Sequence, residues 1–366
     1  MKRVLFIPSS GPSGTGEYYR CLAIARAMRR RAPELGVDFV IHEGARVERD
    51  AGCTYHDLPD TPTRCSEDVR RTIDAVSPSL VVFDSAGRVN QLRHARAAGA
   101  AVVWISDRPG KRQRGFRWRM MRQLDLHLTA APAVSSPRLH LHERLMRVLC
   151  PGTRVRFFSG IAPEPDAGDG EALLPLLGVR KGDYVVFVAG GGGYEHDRRP
   201  VPELLVEAAR EVHGTTGLDC VVVMGPQYRG DVHSDDRVRV VPRLDTEALT
   251  ALLAGAHTAV VGAGSMMTTQ ALALRVPVVL FAAGGHDQPS RVRRLAARGV
   301  VTQAETTPQS LAAATTALVK DVSRRGAQLA ATTEAGLRND VGGVAAELLA
   351  LASATPDVAP AVTTSG

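Results

Sequence analysis

Short aliphatic runs alternate with helix-periodic segments twice along this chain, and that alternation restricts the fold more than any other feature. Residues 4–7 (Val4, Leu5, Phe6, Ile7) precede a Gly/Ser/Pro loop and a periodic segment at 17–31, in which Leu22, Ile24, Ala25 and Met28 can face a core. Strands follow at 37–41, 80–83 and 101–105, with helices at 69–76 and 91–98. Runs without polar alternation are buried on both faces, which calls for helices above and below a parallel sheet. A second series has strands at 185–188, 220–224, 258–261 and 277–281 and helices at 202–213, 245–255 and 265–274. Further helices are expected at 289–298, 308–320 and 326–352, the last with Gly342 and Gly343 near its middle. Residues 159–183, rich in Pro, Gly and Asp, read as the linker and entry to the second series. The expected class is α/β, with two Rossmann-like doubly wound domains at 1–160 and 161–352. Residues 353–366, mostly Ala, Pro, Thr and Ser, read as a disordered tail.

Composition agrees with that division. A length of 366 residues suits two domains, and 44% hydrophobic content with only 4% aromatics means aliphatic cores. The net charge of +7 comes almost entirely from Arg, since Lys occurs only at 2, 111, 181 and 320. Such a balance favours an anionic ligand or surface. It forms no recognised nucleic-acid-binding module, so no nucleic-acid partner is expected. The five cysteines include no CxxC pair, and His140, His142, His196 and His213 have no partners at metal-ligand spacing. Neither a disulfide framework nor a metal site is expected, and no cofactor; a reducing cytoplasm fits best. The opening MKRVLFIPSSG has too short an apolar run for a signal peptide, and no stretch approaches the roughly 18 apolar residues of a membrane span.

Polar residues at the ends of these runs carry the chemistry. In GAGSMMTTQALALRVPVVLFAAGGHDQ, residues 262–288, a Gly-rich turn opens a helix. The unpaired N–H groups of its first turn, at Gly264, Ser265 and Met266, can hold a diphosphate. Gln270 on that helix can bind a ribose, and His286, Asp287 and Gln288 can meet sugar hydroxyls at the C-terminal edge of the sheet. Gly190, Gly191, Gly192 and Gly193 follow another strand, where consecutive glycines suit close approach of backbone to a ligand. In the first domain, SGPSGTGEYYR at 10–20 joins strand to helix. Gly14 and Gly16 allow the loop to approach a ligand, and Glu17 is either a general base or a cap for the helix dipole. The dipole would also lower the Glu17 pKa. Asp84 and Asp107 end apolar strands and are the other carboxylates able to act as the base. Residues 108–122, RPGKRQRGFRWRMMR, interleave seven basic residues with Phe116, Trp118, Met120 and Met121 and contain no acid. They suit peripheral contact with an anionic membrane, an anionic acceptor, or a solvated helix face.

The 262–288 segment resembles the nucleotide-sugar site of GT-B glycosyltransferases. The closest resemblance is to the family of the peptidoglycan N-acetylglucosaminyltransferase, glycosyltransferase family 28, and to its relative, the UDP-sugar hydrolase of pseudaminic acid synthesis. The likeness extends over most of residues 3–300. It implies a cleft between two domains, Gly190–Gly193 beneath the nucleotide diphosphate, and Leu244 beside the nucleotide base. Those families usually have Glu at the position of Gln270, and a Gln there also admits a deoxyribose, so the donor is UDP- or dTDP-linked. They have His where this chain has Glu17, whereas Arg20-Cys21-Leu22-Ala23 is similar to the hydrolase text. The implied activity is metal-independent inverting transfer to a hydroxyl acceptor of unknown identity, in cell-envelope or secondary-metabolite glycoside synthesis. Ser234-Asp235-Asp236 lacks the spacing of a DxD metal motif. A nucleotide-sugar hydrolase and a non-catalytic nucleotide-sugar-binding subunit are the alternatives.

Overall fold

The computed structural model describes residues 2–354 except 10, 12–14, 46, 132–137, 165–166, 232–233 and 236–237, and leaves the side chains of 167–171 undescribed. The expected tail lies almost wholly outside these residues. Contacts divide the chain into two units. Unit 1 runs to Phe158 and takes the chain back from Asp340; unit 2 is Ser159–Asn339.

Unit 1 begins β1 (Arg3–Pro8), α1 (Gly16–Arg31), β2 (Gly36–His42), β3 (Thr54–Leu58), α2 (Ser66–Val76), β4 (Leu80–Asp84), α3 (Val89–Ala97) and β5 (Ala101–Ser106). It continues with α4 (Pro109–Gly115), α5 (Trp118–Met121), β6 (Leu126–Ala130), α6 (Leu141–Leu149) and β7 (Arg154–Phe158). The seven strands are parallel, in the order β3-β2-β1-β4-β5-β6-β7. The chain therefore fills one side of β1 and then returns to fill the other. The loops after β1 and β4 part company at that reversal, which is where open α/β sheets bind ligands.

Unit 2 contains α7 (Ala167–Leu176), β8 (Tyr184–Val188), β9 (Glu195–His196), β10 (Arg199–Pro200), α8 (Val201–Thr216), β11 (Asp219–Val223), β12 (Val238–Val241) and α9 (Thr246–Gly255). After these come β13 (Thr258–Gly262), α10 (Ser265–Ala273), β14 (Val278–Phe281), α11 (Gln288–Ala296), β15 (Thr302–Gln303), α12 (Pro308–Lys320) and α13 (Val322–Glu334). Its main sheet is parallel, in the order β12-β11-β8-β13-β14-β15, and reverses between β8 and β13. Every residue of β8 and β13 is buried, as their unbroken aliphatic text requires.

Three expectations are corrected. The stretch 159–183 is not plain linker, because it contains α7. The helical pattern at 326–352 is two helices: α13 stops near Gly336, which adopts φ +66°, and the last helix, α14 (Val341–Ala354), starts anew with Gly342 and Gly343 in its first turn. Finally, α14 belongs to unit 1 and not to the second domain. It packs along α1. Arg156 Nη1 donates to Glu347 at 2.8 Å, and Lys2 Nζ donates to the carbonyls of Ala352 and Ser353 at 3.0 and 2.7 Å. A cation on the last carbonyls of a helix is favourable against its dipole. Among the described residues no helix is long and apolar enough to cross a membrane.

Candidate active site

In unit 1, α1 starts directly after the loop that leaves β1, and the side chain of its Ncap residue, Thr15, makes no capping hydrogen bond. Glu17 lies in the first turn, only 8% exposed. Gly16 has open space where a Cβ would stand, while Gly14 lies outside the described residues. Asp84 ends β4 opposite Pro8 of β1, and Asp107 follows β5, so all three carboxylates gather at the reversal of the sheet.

The three are not equivalent. Asp84 is fully buried and gripped by Arg20, whose Nε and Nη2 each donate to one carboxylate oxygen at 2.7 Å. Cys21 Sγ adds a weak contact at 3.6 Å. The Asp84 carboxylate is committed to this fork-like pair and is closed off from solvent, which disfavours it as a base beside Glu17 and Asp107 and suits it to positioning Arg20. Burial opposes the Arg20 charge, but Asp84, then Asp107 and Glu17, hold its pKa above the usual arginine value. Arg20 Nη1 also donates to Asp107 at 3.3 Å, as does Ser85 Oγ. Glu17 receives Arg108 Nη2 at 3.2 Å. Arg20 and a backbone hydrogen bond favour the Glu17 carboxylate, but burial first, and the charges of Asp84 and Asp107 next, outweigh them and raise the pKa. The expected depression by the dipole is thus reversed, and Glu17 becomes a better base than an ordinary glutamate.

Arg20, Ser85, Arg108 and Lys111 were not singled out as site residues from the sequence. Lys111 Nζ donates to the Ser85 carbonyl at 2.6 Å, and burial and nearby Arg114 lower its pKa. The 108–122 stretch is broken into α4 and α5, and its basic residues divide. Arg112 forms a two-pronged pair with Glu143, and Arg114 donates to the Gly87 carbonyl. Phe116, Met120 and Met121 are buried. The stretch is therefore not one amphipathic helix lying on a surface; only Arg117, Trp118, Arg119 and Arg122 of its second half face outward.

In unit 2 the expected loops again gather at the sheet reversal. The glycine loop follows β8 and leans on the turn after β11. Gly192, at φ +77°, would place a Cβ 2.2 Å from the Met224 carbonyl oxygen, and Gly191 O accepts from Gln227 N at 2.8 Å. Backbone packing between two loops thus accounts for Gly192. Gly190 has open space around it, and Gly193 abuts Gln227. The loop after β13 leads into α10, whose Ncap Gly264 is unobstructed and whose first turn, including exposed Ser265 and half-buried Met266, has no side-chain cap. Arg291, also missed, joins this loop to the next: Nη1 donates to the Ala263 carbonyl and Nη2 pairs with Asp287. His286 and Asp287 are exposed. Gln288 is only 5% exposed and accepts from Gly284 N at 3.4 Å, so it closes the turn that presents them. Leu244 is half-buried against the core, beside Asp245, which caps α9 by accepting from Ala248 N at 2.7 Å.

Gln270 differs from expectation. It is 3% exposed, and its Nε2 donates to Thr250 Oγ1 of α9 at 2.6 Å. The amide faces the α9–α10 interface, so the expected ribose contact is corrected to a packing role.

No known family profile matches this chain, and no curated protein sequence does. Solved structures do share its fold. It is similar to Phytolacca americana UGT2 complexed with UDP-2-fluoro-glucose and pterostilbene, at 12% identity and TM-score 0.64, over 96% of this chain and 100% of that one. It is similar to the spinosyn forosaminyltransferase SpnP, at 16% identity and TM-score 0.64, over 96% and 99%. The glycosyltransferase SnogD from Streptomyces nogalater matches at 20% identity and TM-score 0.63, over 96% and 99%. The fold is that of the GT-B glycosyltransferases, two Rossmann-like α/β domains with parallel sheets of seven and six strands.

Proposed function

We propose that this protein transfers a glycosyl group, with inversion, from a UDP- or dTDP-linked sugar to a hydroxyl acceptor. Unit 2 holds the donor and Glu17 of unit 1 is the general base. One observation carries the reading: a buried carboxyl in the first turn of α1, its pKa raised by burial and by two neighbouring aspartates. Glu17 takes the acceptor proton as the acceptor oxygen bonds to the anomeric carbon. The bond from that carbon to the diphosphate breaks, and the leaving group departs with the electron pair. The open N–H groups of α10 and the guanidinium of Arg291 meet its charge, so the reading asks for no metal. Asp287 and His286 are assigned to the sugar, the Gly190–Gly193 loop to the diphosphate, and Leu244 to the nucleotide base. Asp107 is the reserve candidate for the base. The narrower kinship with the peptidoglycan N-acetylglucosaminyltransferase and UDP-sugar hydrolase families, and a setting in envelope or secondary-metabolite glycoside synthesis, belong to this proposal.

The test is a donor screen on purified protein that follows release of nucleotide diphosphate with and without acceptor extracts. Acceptor-dependent release supports transfer, and release to water alone converts the reading to hydrolysis. Glu17→Gln should lower turnover about 10²–10⁴-fold with donor affinity unchanged. If Asp107→Asn does so and Glu17→Gln does not, Asp107 is the base.

A further inference from the structure

The turn that presents His286 and Asp287 opens with Gly284 and Gly285, two residues with no side chain to fix their path. Neither adopts a positive φ, so backbone conformation does not demand glycine at either place. Space does. A Cβ on Gly284 would stand 2.4 Å from Cδ1, 2.7 Å from Cγ and 3.1 Å from Cβ of Tyr194. The ring would have to move as a whole, because the clash is at its root and not at its far edge. A Cβ on Gly285 would meet Gln288 Nε2 at 3.0 Å. The turn is thus held from two sides, by the Tyr194 ring on Gly284 and by Gln288, whose Oε1 accepts from Gly284 N at 3.4 Å.

Tyr194 comes from a different loop. It directly follows Gly190–Gly193 and leads into β9, which pairs with β10 in a hairpin of two loop residues. Those two, Asp197 and Arg198, have φ of +50° and +62°, the conformation of the tight hairpin turn in which glycine or asparagine is the usual occupant. Both strands of the hairpin are tied to α8: the Tyr194 carbonyl accepts from Val201 N at 3.0 Å, and Arg199 pairs with Glu207. The backbone at Tyr194 is therefore anchored on unit 2, while its ring, still 44% exposed, reaches across to Gly284.

We propose that Tyr194 is a positioning residue for the donor sugar: its ring braces the Gly284–Gln288 turn and so fixes where His286 and Asp287 stand. The inference rests on the assignment of the donor to unit 2 and deepens it. A nucleotide held through the glycine loop, α10 and Leu244 does not need the brace, whereas a sugar met by Asp287 does. Loss of the brace therefore weakens recognition of the sugar and spares the nucleotide.

Hydrogen exchange on the ligand-free full chain reads the brace directly. The amides of Gly284 and Gln288 are hydrogen-bonded within the turn. Tyr194→Ala should speed their exchange about tenfold, an effect usual for residues in contact, and leave the amides of β8 and β14 as in the wild type. Tyr194→Phe, which keeps the ring, should match the wild type. Gly284→Ala should act like Tyr194→Ala, and the double variant should be no worse than either, since the added methyl meets a ring already gone. Calorimetry with UDP, dTDP, UDP-glucose and dTDP-glucose follows the ligand: Tyr194→Ala should weaken the glucose-bearing forms about tenfold more than the bare diphosphates. Unchanged exchange in Tyr194→Ala overturns the proposal, as does an equal loss for diphosphate and sugar nucleotide, or a Phe variant that behaves like Ala. Should the wild type bind none of the four ligands, the donor assignment fails, and the exchange result alone upholds or overturns the brace.

Discussion

Asp84→Asn separates the carboxylate paired with Arg20 from the proposed base, Glu17. The substitution keeps the shape of the side chain and one oxygen to accept from Arg20, but removes the charge that balances a guanidinium only 6% exposed. Removing one partner of a buried ion pair costs about 3–5 kcal/mol. Arg20 keeps Asp107 at 3.3 Å and the field of Glu17, so the lower end, about 3 kcal/mol, is expected. For a unit of this size, about 2–4 °C per kcal/mol gives a fall of about 6–12 °C in the melting temperature. The assay is simple because both tryptophans, Trp104 and Trp118, lie in unit 1, so fluorescence follows that unit alone. A second readout comes from Glu17. Asp84 raises the Glu17 pKa and Arg20 lowers it, so removing the aspartate charge shifts Glu17 down. The base is active when deprotonated; the acid limb of the rate profile therefore moves to lower pH. A melting temperature unchanged from wild type, or an acid limb that stays or moves up, refutes the division of roles. So does a cycle with Arg20→Met in which the two losses simply add.

The Glu17 carboxyl, with its folded pKa raised, contributes stability that is present at low pH and lost as pH rises through that pKa; Glu17→Gln should therefore raise the neutral-pH melting temperature while it lowers turnover. His127 is wholly buried, and burial lowers its pKa to about 3 from 6.5. Unit 1 should consequently lose up to about 1.4 kcal/mol per pH unit as pH falls from the unfolded value toward the folded one, a slope that His127→Gln removes in urea titrations. Gln270→Glu should destabilise unit 2 by burying a carboxylate against Thr250, without changing the preference between UDP and dTDP in calorimetry; a changed preference restores the ribose contact. Gly192→Ala should destabilise unit 2 at constant unit 1 fluorescence, since both its positive φ and the Met224 carbonyl exclude a Cβ; hydrogen exchange of β8 and β11 would show no change if the loop has room to adapt.

The primary sequence determined the class of fold because buried parallel strands must be unbroken and aliphatic, as at 185–188 and 258–261, and the helices between them must be periodic. It also marked the polar strand ends, Glu17, Asp107 and the 262–288 turn, since residues after parallel strands share one edge. Strand order is a different matter. That β1 lies beside β4, and β8 beside β13, is nowhere written in local pattern, yet it decides which loops meet at the sheet reversals. The surroundings of each carboxylate were equally hidden: Asp84 and Asp107 look alike at their strand ends, and only the reach of Arg20 from α1, two-pronged to buried Asp84 and single to Asp107, tells them apart. Gln270 and Gln288 carry side chains fit for a sugar, but the direction of those side chains depends on packing against α9 and on the Gly284 turn. Periodicity in α14 gave its helical form, whereas its return to unit 1 rests on Lys2, Arg154 and Arg156, hundreds of residues away in the chain. Local pattern encodes which residues leave water; the partner each of them finds is a property of the folded chain, because burial shifts a pKa or locks a carboxylate only once distant elements close around it.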